Sequence, residues 1–187
     1  MRHFCLAMFL GFSCASVAQT ARISFLEPEV KKPIREETAE FTFKLTQLFG
    51  SNWVGPGLSL GFNLPIGAGK IANTLQLGGQ IAGYYQSSTY ALDPSVSARV
   101  MLPIGLSEGS GFLGVYVQFL AGPTVYFNSP ANWGYHFAIL PGVRYLFNNH
   151  WGVFSELGYS FHALISGSPV SRTIHGGSVS VGVAYEF

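Results

Sequence analysis

Ionisable residues are scarce over most of this 187-residue sequence, and their spacing decides which chemistry is open to them. After Lys44 the only Asp, Glu, Lys and Arg residues are Lys70, Asp93, Arg99, Glu108, Arg144, Glu156, Arg172 and Glu186. Arg144 and Glu156 flank the triplet Asn148-Asn149-His150, whose residue types favour a tight turn. A hairpin closed by that triplet sets Phe147 opposite Trp151, Gly142 opposite Glu156, Phe154 opposite Arg144 and His136 opposite His162. Arg144 and Glu156 then become diagonal neighbours within reach of long side chains. One reading of the pair is a charged constriction or a proton-linked site. The favoured reading is an internal ion pair that neutralises two buried charges, with Glu40, Lys44 and Arg99 around the same interior.

The histidines admit two further chemistries. His136 and His162 are half of a metal site, but no Cys or supporting acid is placed to complete it, so neither a metal nor a cofactor is expected. Two hydrogen-bonded interior histidines are the expectation instead. His175-Gly176-Gly177-Ser178 supplies the base and nucleophile types of a hydrolase. In a strand, however, alternate residues point to opposite faces, which separates His175 from Ser178. No catalytic residue is assigned.

Positioning these groups requires elements with two distinct faces, and the sequence supplies eight. The runs are Ala39 to Phe49, Trp53 to Leu64, Thr74 to Gln86, Asp93 to Ile104, Phe112 to Phe127, Trp133 to Phe147, Trp151 to Ile165 and Thr173 to Phe187. In the first, Phe41, Phe43 and Leu45 alternate with Glu40, Thr42 and Lys44; in the last, Val179, Val181, Val183, Tyr185 and Phe187 alternate with Ser180, Gly182 and Glu186. Such a period of two is the signature of a strand with unlike faces. The apolar rows carry large residues along their whole length, whereas the polar rows are too short and glycine-rich to make a good solvated surface. A sheet with its oily side outward explains both, and in lipid a sheet must close so that no edge is left unpaired. The expected fold is therefore all-β, a closed eight-stranded antiparallel up-and-down transmembrane barrel over residues 39–187.

The rest of the composition agrees. Met1-Arg2-His3, the apolar run Phe4 to Phe12 and the small residues Ala15 to Ala18 read as a secretory signal over residues 1–18, cleaved near Ala18. Both cysteines, Cys5 and Cys14, fall inside it; lipidation at Cys14 is an alternative to cleavage at Ala18. Residues 19–38, polar and interrupted by Pro28 and Pro33, read as a periplasmic lead-in. With no basic patch or stripe, nucleic acid is not an expected partner. Tyr145, Phe147, Trp151, Tyr185 and Phe187 gather at one end of their strands and Tyr85, Phe127, Trp133 and Tyr135 at the other, as two interfacial belts do.

The signal, the eight two-faced strands and the closing Val183-Ala184-Tyr185-Glu186-Phe187 resemble the small outer-membrane β-barrel proteins of the OmpA, OmpX and OmpW type, from Ala39 to Phe187. The resemblance implies a bacterial outer-membrane location and outer-membrane lipid as surroundings. It also implies assembly by the barrel-assembly machinery, for which Tyr185 and Phe187 match the family's terminal aromatic signal, and a monomer. The function it implies is non-enzymatic, either structural or low-conductance passage of small molecules. Alternatives are a carrier of a small hydrophobic ligand, as in the OmpW type, and a lipid-A-modifying enzyme. The cell-facing loops, near Ser51, Ser88, Ser129 and Ser168, are short, so adhesion and receptor roles carried by long loops are not expected.

The interior row contains many glycines, among them Gly57, Gly142, Gly158 and Gly182. An eight-stranded barrel is just wide enough for its own side chains to fill. Glycine either relieves crowding beside Tyr84, Tyr116, Tyr126 and Phe154, or leaves a cavity for water, a ligand or residues 19–38.

Overall fold

The computed structural model describes residues 38–50, 54–66, 74–86, 89–105, 111–127, 132–147, 150–165 and 173–187. The expected signal, its cleavage near Ala18, the Cys14 alternative, the lead-in apart from Thr38, and the loops around Ser51, Ser88, Ser129 and Ser168 lie outside the described residues.

Eight strands follow one another: β1 (Glu40–Gly50), β2 (Val54–Pro65), β3 (Leu75–Gln86), β4 (Thr89–Gly105), β5 (Phe112–Phe127), β6 (Asn132–Leu146), β7 (Trp151–Ile165) and β8 (Thr173–Glu186). Each pairs antiparallel with the next, and β8 returns to β1, giving the closed eight-stranded barrel in sequence order. The seam runs from Glu40 opposite Glu186 to Gly50 opposite Gly176, so every strand has two neighbours and no edge remains. Among the described residues no helix is long and apolar enough to cross a membrane.

Side-chain alternation sets the direction of the two faces. Phe41, Phe43, Leu58, Leu60, Val96, Val100, Val143 and Val183 are exposed, while Glu40, Lys44, Ser59, Ser97, Arg99, Arg144 and Ala184 are buried. Val96 is 70% exposed and its neighbour Ser97 is 3% exposed. A soluble barrel has the opposite polarity, since burial of apolar area is what drives folding in water. Aromatic rings meet at both ends of the outward row. Trp151 packs on Tyr185 at 4.9 Å and Phe187 on Phe41 at 5.4 Å at one end, with Tyr85 on Tyr90 at 4.9 Å and Trp133 on Tyr135 at 6.1 Å at the other.

One strand departs from the sequence expectation. β4 begins at Thr89 rather than Asp93, and Tyr90, Ala91 and Leu92 continue its alternation. Pro94, a residue without an N–H to give to a ladder, lies inside this strand. Here its neighbour across the barrel wall is the stretch around Pro123. The β4–β5 ladder runs from Leu92 opposite Val125 directly to Val96 opposite Ala121, so the two prolines share one gap in the hydrogen bonding. A side chain at Gly122 would meet the Pro94 carbonyl oxygen at 2.0 Å, which shows how closely the two strands approach there.

Candidate functional site

Among the described residues the interior holds two polar clusters, one toward each end. The first is centred on Glu40, at the end where β1 begins and β8 finishes. Register places Asn63 of β2 and Glu186 of β8 opposite Glu40 on its two sides. Arg99 reaches across from β4, its Nη1 donating to Glu40 Oε1 at 2.6 Å and to Gln76 Oε1 at 3.2 Å, its Nη2 to Gln118 Oε1 at 3.2 Å. Arg144 reaches in from β6 and donates through Nη1 to Glu40 Oε2, with Glu186 Oε1 at 3.4 Å. Asn63 Nδ2 donates to Glu40 Oε1 at 3.2 Å, and Asn63 Oδ1 accepts from Ser97 Oγ at 3.1 Å. Lys44 Nζ donates to Glu156 Oε2 at 2.8 Å, and the Tyr116 hydroxyl donates to Glu156 Oε1 at 2.9 Å. The Arg99 guanidinium lies over the Tyr116 ring at 4.5 Å and so links the two halves of the network.

Glu40, Lys44, Arg99, Arg144 and Glu156 are thus gathered into one buried assembly, with Glu186, Asn63, Gln76, Gln118 and Tyr116. The pairing inside it differs from the sequence expectation. Gly142 stands opposite Glu156 and Arg144 opposite Phe154, as the turn length requires. Yet Arg144 turns to Glu40 and Glu186, and Glu156 is taken by Lys44 and Tyr116. The reason is geometric: diagonal neighbours along the wall compete with partners across a narrow lumen, and two carboxylates facing each other at the seam attract the longer cation. Gln76, Gln118, Asn63 and Tyr116 carry the signal that would have found them, since each is a polar residue on the inward parity of its strand.

The second cluster lies toward the opposite end. His136 and His162 stand opposite each other on β6 and β7. Their rings meet at 4.7 Å with a tilt of 32°, in place of the expected hydrogen bond. The sequence also placed no acid beside them, and the structure corrects this. Asp93 of β4 comes to within 3.7 Å of His162 Nδ1 through Oδ2, and its other oxygen accepts a hydrogen bond from Thr124. One ligand-type atom from each of Asp93, His136 and His162 lies within 4.8 Å of the others. The acid was missed because β4 extends beyond Asp93, which puts this residue inside the wall rather than at its rim.

His175 is exposed and bonded to the Tyr159 hydroxyl at 2.6 Å through Nδ1, while Ser178 is buried on the other face. The hydrolase pair is therefore divided by the barrel wall. The interior glycines resolve into crowding relief at three positions. Each stands opposite an aromatic ring on the neighbouring strand: Gly57 by Tyr84, Gly142 by Tyr116 and Gly182 by Phe154. A Cβ would meet those rings at 2.3, 2.6 and 2.4 Å respectively, so the ring fills the room the glycine leaves.

No protein-family model and no curated protein matches the sequence. Among solved structures, the fold is similar to Neisserial surface protein A, with 13% identity and a TM-score of 0.53 over 80% of this chain and 96% of that one. It is similar to the same degree to the N-terminal β-barrel domain of OprF from Pseudomonas aeruginosa, with 15% identity and a TM-score of 0.53 over 81% of this chain and 98% of that domain. This chain has the fold of the small eight-stranded outer-membrane β-barrels.

Proposed function

We propose that the protein is an integral barrel of the bacterial outer membrane, non-enzymatic and structural in role, whose lumen is held closed to solutes. The observation that carries the closed state is the meeting of Arg99 from β4 and Arg144 from β6 on Glu40 of β1, a set of bonds that crosses the interior instead of lining it. The outward apolar rows, with an aromatic belt at each end, support lipid as the surroundings. In this reading outer-membrane lipid is the main partner, the chain works as a monomer, and Tyr185 and Phe187 are what the barrel-assembly machinery reads. Passage of small molecules at low conductance then requires the network to part.

The interior argues against a hydrophobic-ligand carrier. Charged and amide side chains fill one end, and toward the other the buried apolar residues Leu48, Ala82, Tyr84, Ala91 and Tyr126 pack on one another beside Asp93, His136 and His162, whereas an apolar ligand needs an open, mostly apolar pocket. A lipid-modifying activity is disfavoured by the separation of His175 from Ser178. Folded protein in lipid vesicles tests the proposal: vesicles carrying it should swell in isotonic sugar no faster than protein-free vesicles and should retain the protein through urea extraction. Rapid swelling, or release by urea, contradicts it.

A further inference from the structure

We propose that Asp93, His136 and His162 form a binding site for a divalent transition-metal ion of the zinc type. The three residues have the donor set that borderline-soft cations prefer, two imidazoles and a carboxylate, and three protein ligands leave one position open for water. Asp93 is fully buried and His136 is 3% exposed, yet Asp93 Oδ2 and His136 Nδ1 have no hydrogen-bond partner. Buried polar atoms without partners are costly, and here they belong to residues whose ligand-type atoms lie within 4.8 Å of one another, which points to a group that binds among them.

The surroundings are those of a metal site. Thr124 holds Asp93 Oδ1, which fixes the carboxylate and leaves Oδ2 toward the histidines, the kind of outer support that orients metal ligands. The imidazoles come from opposed positions on adjacent strands, so the wall itself sets their spacing. Tetrahedral zinc spaces its ligand atoms by roughly 3.4 Å when bonds are about 2.1 Å. The present atoms lie within 4.8 Å of one another, so binding draws them together. The gap in the β4–β5 ladder beside Asp93 leaves its β5 side unpaired, while β3 holds the strand through Ala82 opposite Asp93.

The test uses the full folded barrel in detergent, freed of metal by a chelator and titrated with zinc and with cobalt. The wild type should bind one zinc per chain by calorimetry, unfold at a higher temperature when loaded, and give a tetrahedral cobalt spectrum. His136→Ala combined with His162→Ala should abolish all three, Asp93→Asn should weaken zinc at least tenfold, and His175→Ala should leave binding intact. Heat-modifiable gel mobility verifies that each variant is folded. Absence of binding by the wild type overturns the proposal, as does undiminished binding by the double variant or loss of binding in His175→Ala alone.

Discussion

Glu40 and Glu186 stand directly opposite each other across the seam that closes the barrel, both 1% exposed, and Arg144 of β6 approaches both carboxylates. Like charges placed opposite one another in a sheet repel. A cation from the far wall therefore holds the last strand to the first. Arg144→Ala removes the cation shared by the two acids and leaves Arg99 on Glu40, and it should cost about 3–5 kcal/mol in urea-induced unfolding, the usual penalty for removing one partner of a buried ion pair. Adding Glu186→Gln to that variant should restore a substantial part of the loss. A double variant no more stable than Arg144→Ala argues against the seam account.

The Lys44–Glu156 bridge makes a separate prediction. Glu156 accepts from both Lys44 and Tyr116, so Tyr116→Phe removes one charge-assisted hydrogen bond and should destabilise by about 1.5–3 kcal/mol. In a double-mutant cycle Lys44→Met and Glu156→Gln should be coupled by about 0.5–3 kcal/mol, whereas Lys44→Met and Arg144→Ala should couple more weakly. Strong coupling of Arg144 to Glu156 instead would restore the diagonal pair that the hairpin register alone suggests.

Gly57 offers a test of packing. A methyl group there meets the Tyr84 ring, and overfilling a tight interior costs about 1–3 kcal/mol, so Gly57→Ala should lower stability by that amount. Tyr84→Leu in the same chain should recover part of it, and an additive loss would show that the ring and the glycine are not matched.

The outward row can be probed by charge. Leu60 lies in the middle of β2 and is 64% exposed. If lipid surrounds it, Leu60→Arg should cost about 2–4 kcal/mol in unfolding from vesicles, while an arginine at Val54, at the strand's start, should cost about 0–1 kcal/mol. Equal costs at the two positions would mean that depth in a bilayer does not matter to this surface.

Much of this architecture was legible from residues alone, and the limits of that legibility are physical. Strand number, face assignment and the β6–β7 register follow from a period of two and a three-residue turn, both local properties. The partners of Arg144 do not follow, because they sit across the lumen and depend on the tilt and stagger of a closed wall. Asp93 was lost for a related reason: it stood at the first position of the expected fourth run, whereas β4 starts at Thr89 and carries it into the interior opposite His162 of β7. The signal over residues 1–18 and the lead-in are matters of sequence alone.

The closed lumen is the central claim, and planar-bilayer recording tests it most directly. Wild-type protein inserted in a bilayer should remain electrically silent, and the combined change Glu40→Ala and Arg144→Ala, which removes the bonds that cross the interior, should produce discrete conductance steps. Steady conduction by the wild type, at the level shown by the double variant, would contradict the account.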